Sequence, residues 1–390
     1  MTNAMAPDAV ELARALIRAP SVTPVDAGAM DIVQNALEPL GFSCRRMSSG
    51  GIENLYARFG SRSPNFCFAG HTDVVPPGDV AAWRFDPFAA QLEDGVLFGR
   101  GAADMKSAIA AFIAAAGRLL AKAAPPGSIS LIITGDEEGI AEYGTKAVVE
   151  ALSAEGEVID HCLVGEPTSA EELGDMIKVG RRGSLSAHIE VAGVQGHTAY
   201  PHRAANPVRP LLKFLAAVEG RRLDDGWPSF PPSNLEITTI DVGNPATNVI
   251  PGNARAALNI RFNPTHTGAA LCAWLDEEAQ KAGAGFSGRI TLESRISGEP
   301  FLTEPGAFTA LAAGSVEAVC GRAPELSTTG GTSDARFIRV LCPVVELGLV
   351  GTTMHKVDEC VPAAEIVRLS EVYERLLADY FASPPGSSAP

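Results

Sequence analysis

Up to about residue 180, short apolar runs alternate with stretches of helical period. "NFCFAG", "SISLIITG" and "HCLVGEP" have strand length and end in turn residues, whereas "DMKSAIAAFIAAAGRLLAKA" and "TKAVVEALSAEG" repeat their apolar positions every three to four residues. Strands alternating with helices predict an α/β unit with a largely parallel sheet. From 184 to 296 the pattern changes. The strand "LSAHIEVAGV", the helix "NPVRPLLKFLAAVEG", the strands "LEITTIDVG" and "ARAALNIRF", the helix "GAALCAWLDEEAQKAGA" and the strand "RITLESRI" give the ferredoxin-like order βαββαβ. Then "GAFTALAAGSVEAVCG", "PVVELGLV" and the long helix "AAEIVRLSEVYERLLADYFAS" return to the first style. We expect a mostly parallel-sheet α/β domain from 1–183 and 297–380, with a ferredoxin-like βαββαβ domain inserted at 184–296. The Pro/Gly/Ser-rich end of the 381–390 tail predicts disorder there.

Composition narrows the classes of function. A chain of 390 residues exceeds what one core usually organises, and 46% hydrophobic with 20% charged residues is ordinary for a globular protein. A net charge of -15 repels phosphate backbones and anionic lipid, so we expect no nucleic-acid and no membrane partner. The uncharged stretch "SAIAAFIAAAG" is far short of the ~20 residues that cross a bilayer. The first residues read as an amphipathic helix rather than a secretory signal, which predicts a cytoplasmic location. Seven scattered cysteines with no CxxC pair suit neither a disulfide framework nor a thiolate zinc site.

Ligands of open α/β sheets bind beyond the carboxyl ends of the strands. There the sequence places His71 and Asp73 after "NFCFAG", Glu137 and Glu138 after "SISLIITGD", Glu166 after "HCLVG", and His355 shortly after "VVELGLV"; Asp104 opens a helix after "FGRGAAD". Each alone has an ordinary reading. A histidine at a strand end serves as a turn residue, Asp104 could cap its helix, and a Glu pair is commonly a solvated turn. Together, two imidazoles and three carboxylates at one sheet edge concentrate negative charge that calls for cations among them. Imidazole and carboxylate without thiolate suit zinc, and cobalt or manganese less specifically. Five ligands exceed what one zinc needs and argue for two ions, roughly 3.5 to 4 Å apart. Asp73, two residues after His71, is placed to accept the second imidazole N–H and fix the ring.

The strings "GHTDVVPPGD", Trp83 with "DPF" following, "DGVLFGRGAADMKSAIAAF", "TGDEEG", "VGEPT", "GVQGHTAYPH" and "GGTSDARF", in order from about residue 7 to 380, resemble the dizinc aminoacylase and carboxypeptidase superfamily. That resemblance implies two zinc ions, with cobalt as a substitute: His71 and Glu166 on one, Glu138 and His355 on the other, Asp104 bridging. It further implies a cis bond between Asp104 and Met105, Glu137 as general base, Asp73 as a catalytic aid, and a homodimer formed through the inserted lid domain, with His197 reaching the partner's site. The desuccinylase branch of the superfamily implies a small substrate with several carboxylates, N-succinyl-L,L-2,6-diaminopimelate, cleaved to succinate and the free diamino acid.

Such a substrate needs fixed cations, and guanidinium grips carboxylates through two parallel hydrogen bonds. The resemblance raises Arg182 and Arg261 for this role, with Arg181, Ser184 and Asn248 as further contacts. Gly330, Gly331, Thr332 and Ser333 form a glycine-rich loop suited to close backbone approach to anions, a form that plain turns share. Two alternatives stand beside this reading. A relative acting on acetylornithine or a dipeptide would share the metal core, and a binding protein that had lost catalysis would lack the base or a ligand, whereas all are present here.

Overall fold

The computed structural model describes residues 6–385. These fall into two compact units. One is drawn from the ranges Met1–Val179, Thr303–Ser327 and Ser333–Pro390, the other from Gly180–Leu302 with Thr328–Thr332.

The first unit is built on an eight-stranded sheet. At its centre Asn65–His71 lies parallel to both Ser128–Thr134 and His161–Val164, and Val344–Glu346 extends the parallel run beside His161–Val164. Asn65–His71 and Ser128–Thr134 are buried at every residue, as their near-continuous apolar runs require of strands covered on both faces. Ser43–Arg46 and Leu55–Phe59 add antiparallel strands at one edge, two elements the apolar runs did not signal. Helix Lys106–Lys122 is buried from Lys106 to Gly117, because its alanines present little bulk and let it lie close in the core. Phe112 stacks on Phe68 with ring centroids 4.3 Å apart, and Tyr373 of helix Ala363–Ala382 meets both rings edge-on at 5.9 Å. The Tyr373 hydroxyl donates to the Leu347 carbonyl at 2.6 Å. These contacts fix the helix whose start carries Asp104.

The second unit has the order Gly183–Ala192, Val208–Glu219, Asn234–Asp241, Asn253–Phe262, Gly268–Ala282, Arg289–Gly298, which is βαββαβ. Its four strands are antiparallel, with Gly183–Ala192 flanked by Asn253–Phe262 and Arg289–Gly298. Residues alternate between buried and exposed along Asn253–Phe262, and the buried face packs against Phe214 and Leu275 of the two helices. The α/β fold with an inserted ferredoxin-like domain is therefore present. The final helix continues to Ala382, past the start of the expected tail at 381, because Tyr380 and Phe381 still bury apolar rings. Residues 386–390 of that tail lie outside the described residues. No helix among the described residues is long and apolar enough to cross a membrane.

Candidate functional site

His71 closes strand Asn65–His71 and is 1% exposed. Its Nδ1 lies 2.9 Å from the Asp73 backbone carbonyl. A carbonyl can only accept, so Nδ1 carries a proton, and Nε2 faces Asp104 Oδ1 at 3.2 Å and Glu166 Oε1 at 3.7 Å. The expected orienter thus acts through its main chain. The Asp73 carboxylate stands 3.6 Å from Nδ1 and instead accepts the N–H groups of Glu137 at 3.2 Å and Glu138 at 3.0 Å. The reason lies in the register of the sheet. Thr134 lies in register beside His71, so the turn after Thr134 brings its amides to Asp73, which can accept both. Asp136 secures the other side of that turn, accepting from Glu142 and Tyr143 at 2.9 and 3.0 Å.

Asp104 does not cap its helix. Met105 occupies the N-cap and no side chain caps there. The Asp104–Met105 bond is cis, as the resemblance implied. A Cβ on Gly70 or Gly165 would come within 2.4 or 2.7 Å of Met105 Cε, so glycine at both positions leaves room for that side chain above the strand ends. Asp104 then faces both histidines: Oδ1 is 3.2 Å from His71 Nε2, and Oδ2 is 3.4 Å from His355 Nε2. His355 sits in an exposed loop at φ +62° and also meets Glu138 Oε1 at 2.8 Å. One carboxylate therefore lies between two imidazoles that are far apart in the chain.

The electrostatics describe a set short of positive charge. Burial, reinforced by Asp334 and Glu138, pushes the Glu137 carboxyl up to about 8. Burial and the nearby Asp104 and Glu137 raise Glu166 well above the usual range, and burial pushes Asp73 to about 6. Hydrogen bonds to Asp104 and Glu138 raise His355 to about 10. Burial alone would lower His71, but Asp104, Asp73 and Glu166 outweigh it and raise the ring well above its usual value. Burial would likewise raise Asp104, yet the two histidines hold it below the carboxylate range. Three buried carboxyls held above their usual range around two histidines held toward charge make a cluster that favours a bound cation. Ligand atoms of His71, Asp104 and Glu138 all lie within 4.8 Å of one another, as do those of His71, Glu137 and Glu166. These nitrogen and oxygen donors fit a divalent metal, and they bring Glu137 into the donor cluster, where the resemblance had set it apart as the base.

Further residues escaped the sequence reading. Glu359 is fully buried and accepts from Arg100 Nη1 at 2.5 Å, although 258 residues of chain separate them. Asp334, inside "GGTSDARF", accepts from the Thr145 and Thr134 hydroxyls at 2.5 and 3.3 Å. No local pattern announces such pairings.

The remaining predicted residues belong to the second unit. Ser184 and Asn234 both lie in register with Arg261 on neighbouring strands, and Arg182 Nη1 donates to Asn234 Oδ1 at 2.8 Å. Burial and the Arg182 charge both lower Arg261, so two guanidiniums share one end of this sheet, a setting that favours an anion. Asn234 was not anticipated. Arg181 Nη1 donates to the Gly331 carbonyl at 3.1 Å, and Thr332 ends the same short segment. Exposed His197 pairs in register with Val249, beside Asn248, whose carbonyl accepts from Thr198. His197 Nδ1 accepts the Ala199 N–H at 3.0 Å.

Residues 67–379 match the model of peptidase family M20/M25/M40. The chain belongs to that family. Among M20 relatives, it is 66% identical over 375 residues to the succinyl-diaminopimelate desuccinylase of Phenylobacterium zucineum strain HLK1, covering 96% of this chain and 99% of that protein. The desuccinylase of the same name from Caulobacter vibrioides strain NA1000 / CB15N is 65% identical over 376 residues, with 96% of this chain and 97% of that protein covered. Among solved structures, an M20 family metallo-carboxypeptidase from Sulfolobus solfataricus superposes with a TM-score of 0.81 at 17% identity, covering 96% of this chain and all of that one, a likeness of fold.

Proposed function

We propose that this M20 chain is a two-cation amidohydrolase that cleaves N-succinyl-L,L-2,6-diaminopimelate to succinate and L,L-2,6-diaminopimelate. The observation that carries the chemistry is the Asp104 carboxylate, with one oxygen toward His71 and the other toward His355. The 66% identity to a desuccinylase carries the choice of substrate.

In this reading His71 and Glu166 would hold one zinc, His355 and Glu138 the other, and Asp104 would serve both, with cobalt able to replace one. Two divalent cations there would polarise the amide carbonyl and bring a water's pKa toward neutrality. The protein's own residues manage the proton. Glu137, beside ligand Glu138 on the same turn, accepts the proton of the attacking water and returns it to the departing amine. Asp73 holds the Glu137 main chain by its amide, so the base cannot swing with the loop. Arg182 and Arg261, with Ser184 and Asn248, grip substrate carboxylates; Arg181 holds the segment bearing Gly331 and Thr332, which offer main-chain contacts. The enzyme works in the cytoplasm as a homodimer joined through the inserted domain at 184–296, and His197 of each subunit donates to the oxyanion in the other's site.

Succinate release tests this. Chelated protein should be inert toward N-succinyl-L,L-diaminopimelate, regain turnover with zinc, and prefer that substrate to N-acetylornithine. Full metal loading without succinate release, or a preference for N-acetylornithine, rejects the proposal.

A further inference from the structure

His71 is anchored twice, by its strand and by the Asp73 carbonyl, and it is almost fully buried. His355 is not: it sits on an exposed loop with its backbone in the left-handed region. What holds its main chain is the buried pair Arg100–Glu359, 2% and 0% exposed at their side chains. Arg100 Nη2 reaches the His355 carbonyl and the Pro76 carbonyl, each at 3.4 Å, while its guanidinium lies over Trp83, 5.2 Å from the ring centre. The other partner, Glu359, gathers the turn that carries Asp104. Its Oε1 accepts the N–H groups of Gly101, Ala103 and Asp104 at 3.1, 2.9 and 3.2 Å. One ion pair thus joins the main chain of the shared carboxylate to that of the loop-borne histidine.

We propose that Arg100 is a positioning residue for one half of the metal centre: it sets the affinity of the cation on the His355 and Glu138 side, whereas Glu359, which also holds the turn of the shared Asp104, supports both cations. This rests on the two-cation reading above. A guanidinium is required because only a planar fork can bond a carboxylate with one nitrogen and two carbonyls with another. Lysine at 100 keeps the charge and loses that reach.

The test is titration of chelated protein with Co²⁺, following its visible absorption and the bound metal by elemental analysis, for the parent, Arg100→Lys and Glu359→Gln. The parent should take up two equivalents. In Arg100→Lys the first equivalent should bind within about twofold of the parent and the second about 10 to 100-fold more weakly, the usual effect of losing a ligand's supporting partner, whereas Glu359→Gln should weaken both. Turnover should return when cobalt saturates the weaker site, a rescue that general damage to the fold would not allow. In Arg100→Lys, a second equivalent bound as tightly as in the parent, or two equivalents weakened alike, overturns the inference. If Glu359→Gln does not fold, Arg100→Lys alone decides. A parent that binds only one equivalent instead defeats the two-cation reading, so the two failures are told apart.

Discussion

Replacing Asp73 by Asn separates holding the catalytic turn from holding the fold. The carboxylate accepts two amides, from Glu137 and Glu138, one on each oxygen. Asparagine keeps the shape but offers one acceptor and sets an NH₂ against the other amide. Losing a hydrogen bond to a charged group costs about 1.5–3 kcal/mol. Against this, burial moves Asp73 from 3.8 to about 6, roughly two units, so keeping it ionised costs the metal-free fold ~3 kcal/mol that Asn avoids. The two nearly cancel at pH 7.5. The sign with pH follows from the direction of the shift: an acid raised in the folded state lowers stability as pH climbs from its unfolded value toward about 6, so the relief Asn gives is full above 6 and shrinks below it. Relative to the metal-free parent, the variant should melt within a few degrees at pH 7.5 and lower at pH 5. Activity has no such compensation. A base displaced by about 1 Å loses on the order of 10²-fold in turnover even with metal saturating. Melting curves at the two pH values and kcat for succinate release decide it; a metal-loaded variant within twofold of the parent in kcat would show that the two amide bonds do not position Glu137.

Glu137→Ala should keep its metal by elemental analysis and lose about 10² to 10⁴-fold in kcat, the usual worth of a general base. Arg182→Ala should raise KM about 10 to 100-fold with a smaller change in kcat, as expected when one charge-assisted contact to a substrate carboxylate is removed; steady-state kinetics checks the split. Chelation should lower the melting temperature, and zinc at about 1,000 times its Kd should restore ~4 kcal/mol of stability, read as an upward shift in a thermal melt at fixed protein concentration.

How much of this was legible in the sequence depended on whether the information was local. The apolar runs of Asn65–His71 and Ser128–Thr134 mark buried strands by themselves, and the rule that ligands sit beyond strand ends then singles out His71, Glu137, Glu138 and Glu166 without knowing how the strands pair. The inserted unit was equally readable, since its alternation and its βαββαβ order are properties of consecutive residues. What stayed hidden was which polar atom answers which. Asp73 looked like a partner for an imidazole because it is two residues away, but the register of His71 with Thr134 presents it with two amides, and register is a property of the sheet. Arg100 and Glu359 escaped the sequence reading for the same reason: a charge looks solvated until the fold buries it, and only then must it find a partner across the chain. Elements and ligands were thus written into nearby residues, whereas the contacts that hold the ligands still arise from long-range pairing. If that division is general to this site, substitutions that keep the ligands but disturb the pairing should weaken metal binding in a molecule whose secondary structure is unchanged.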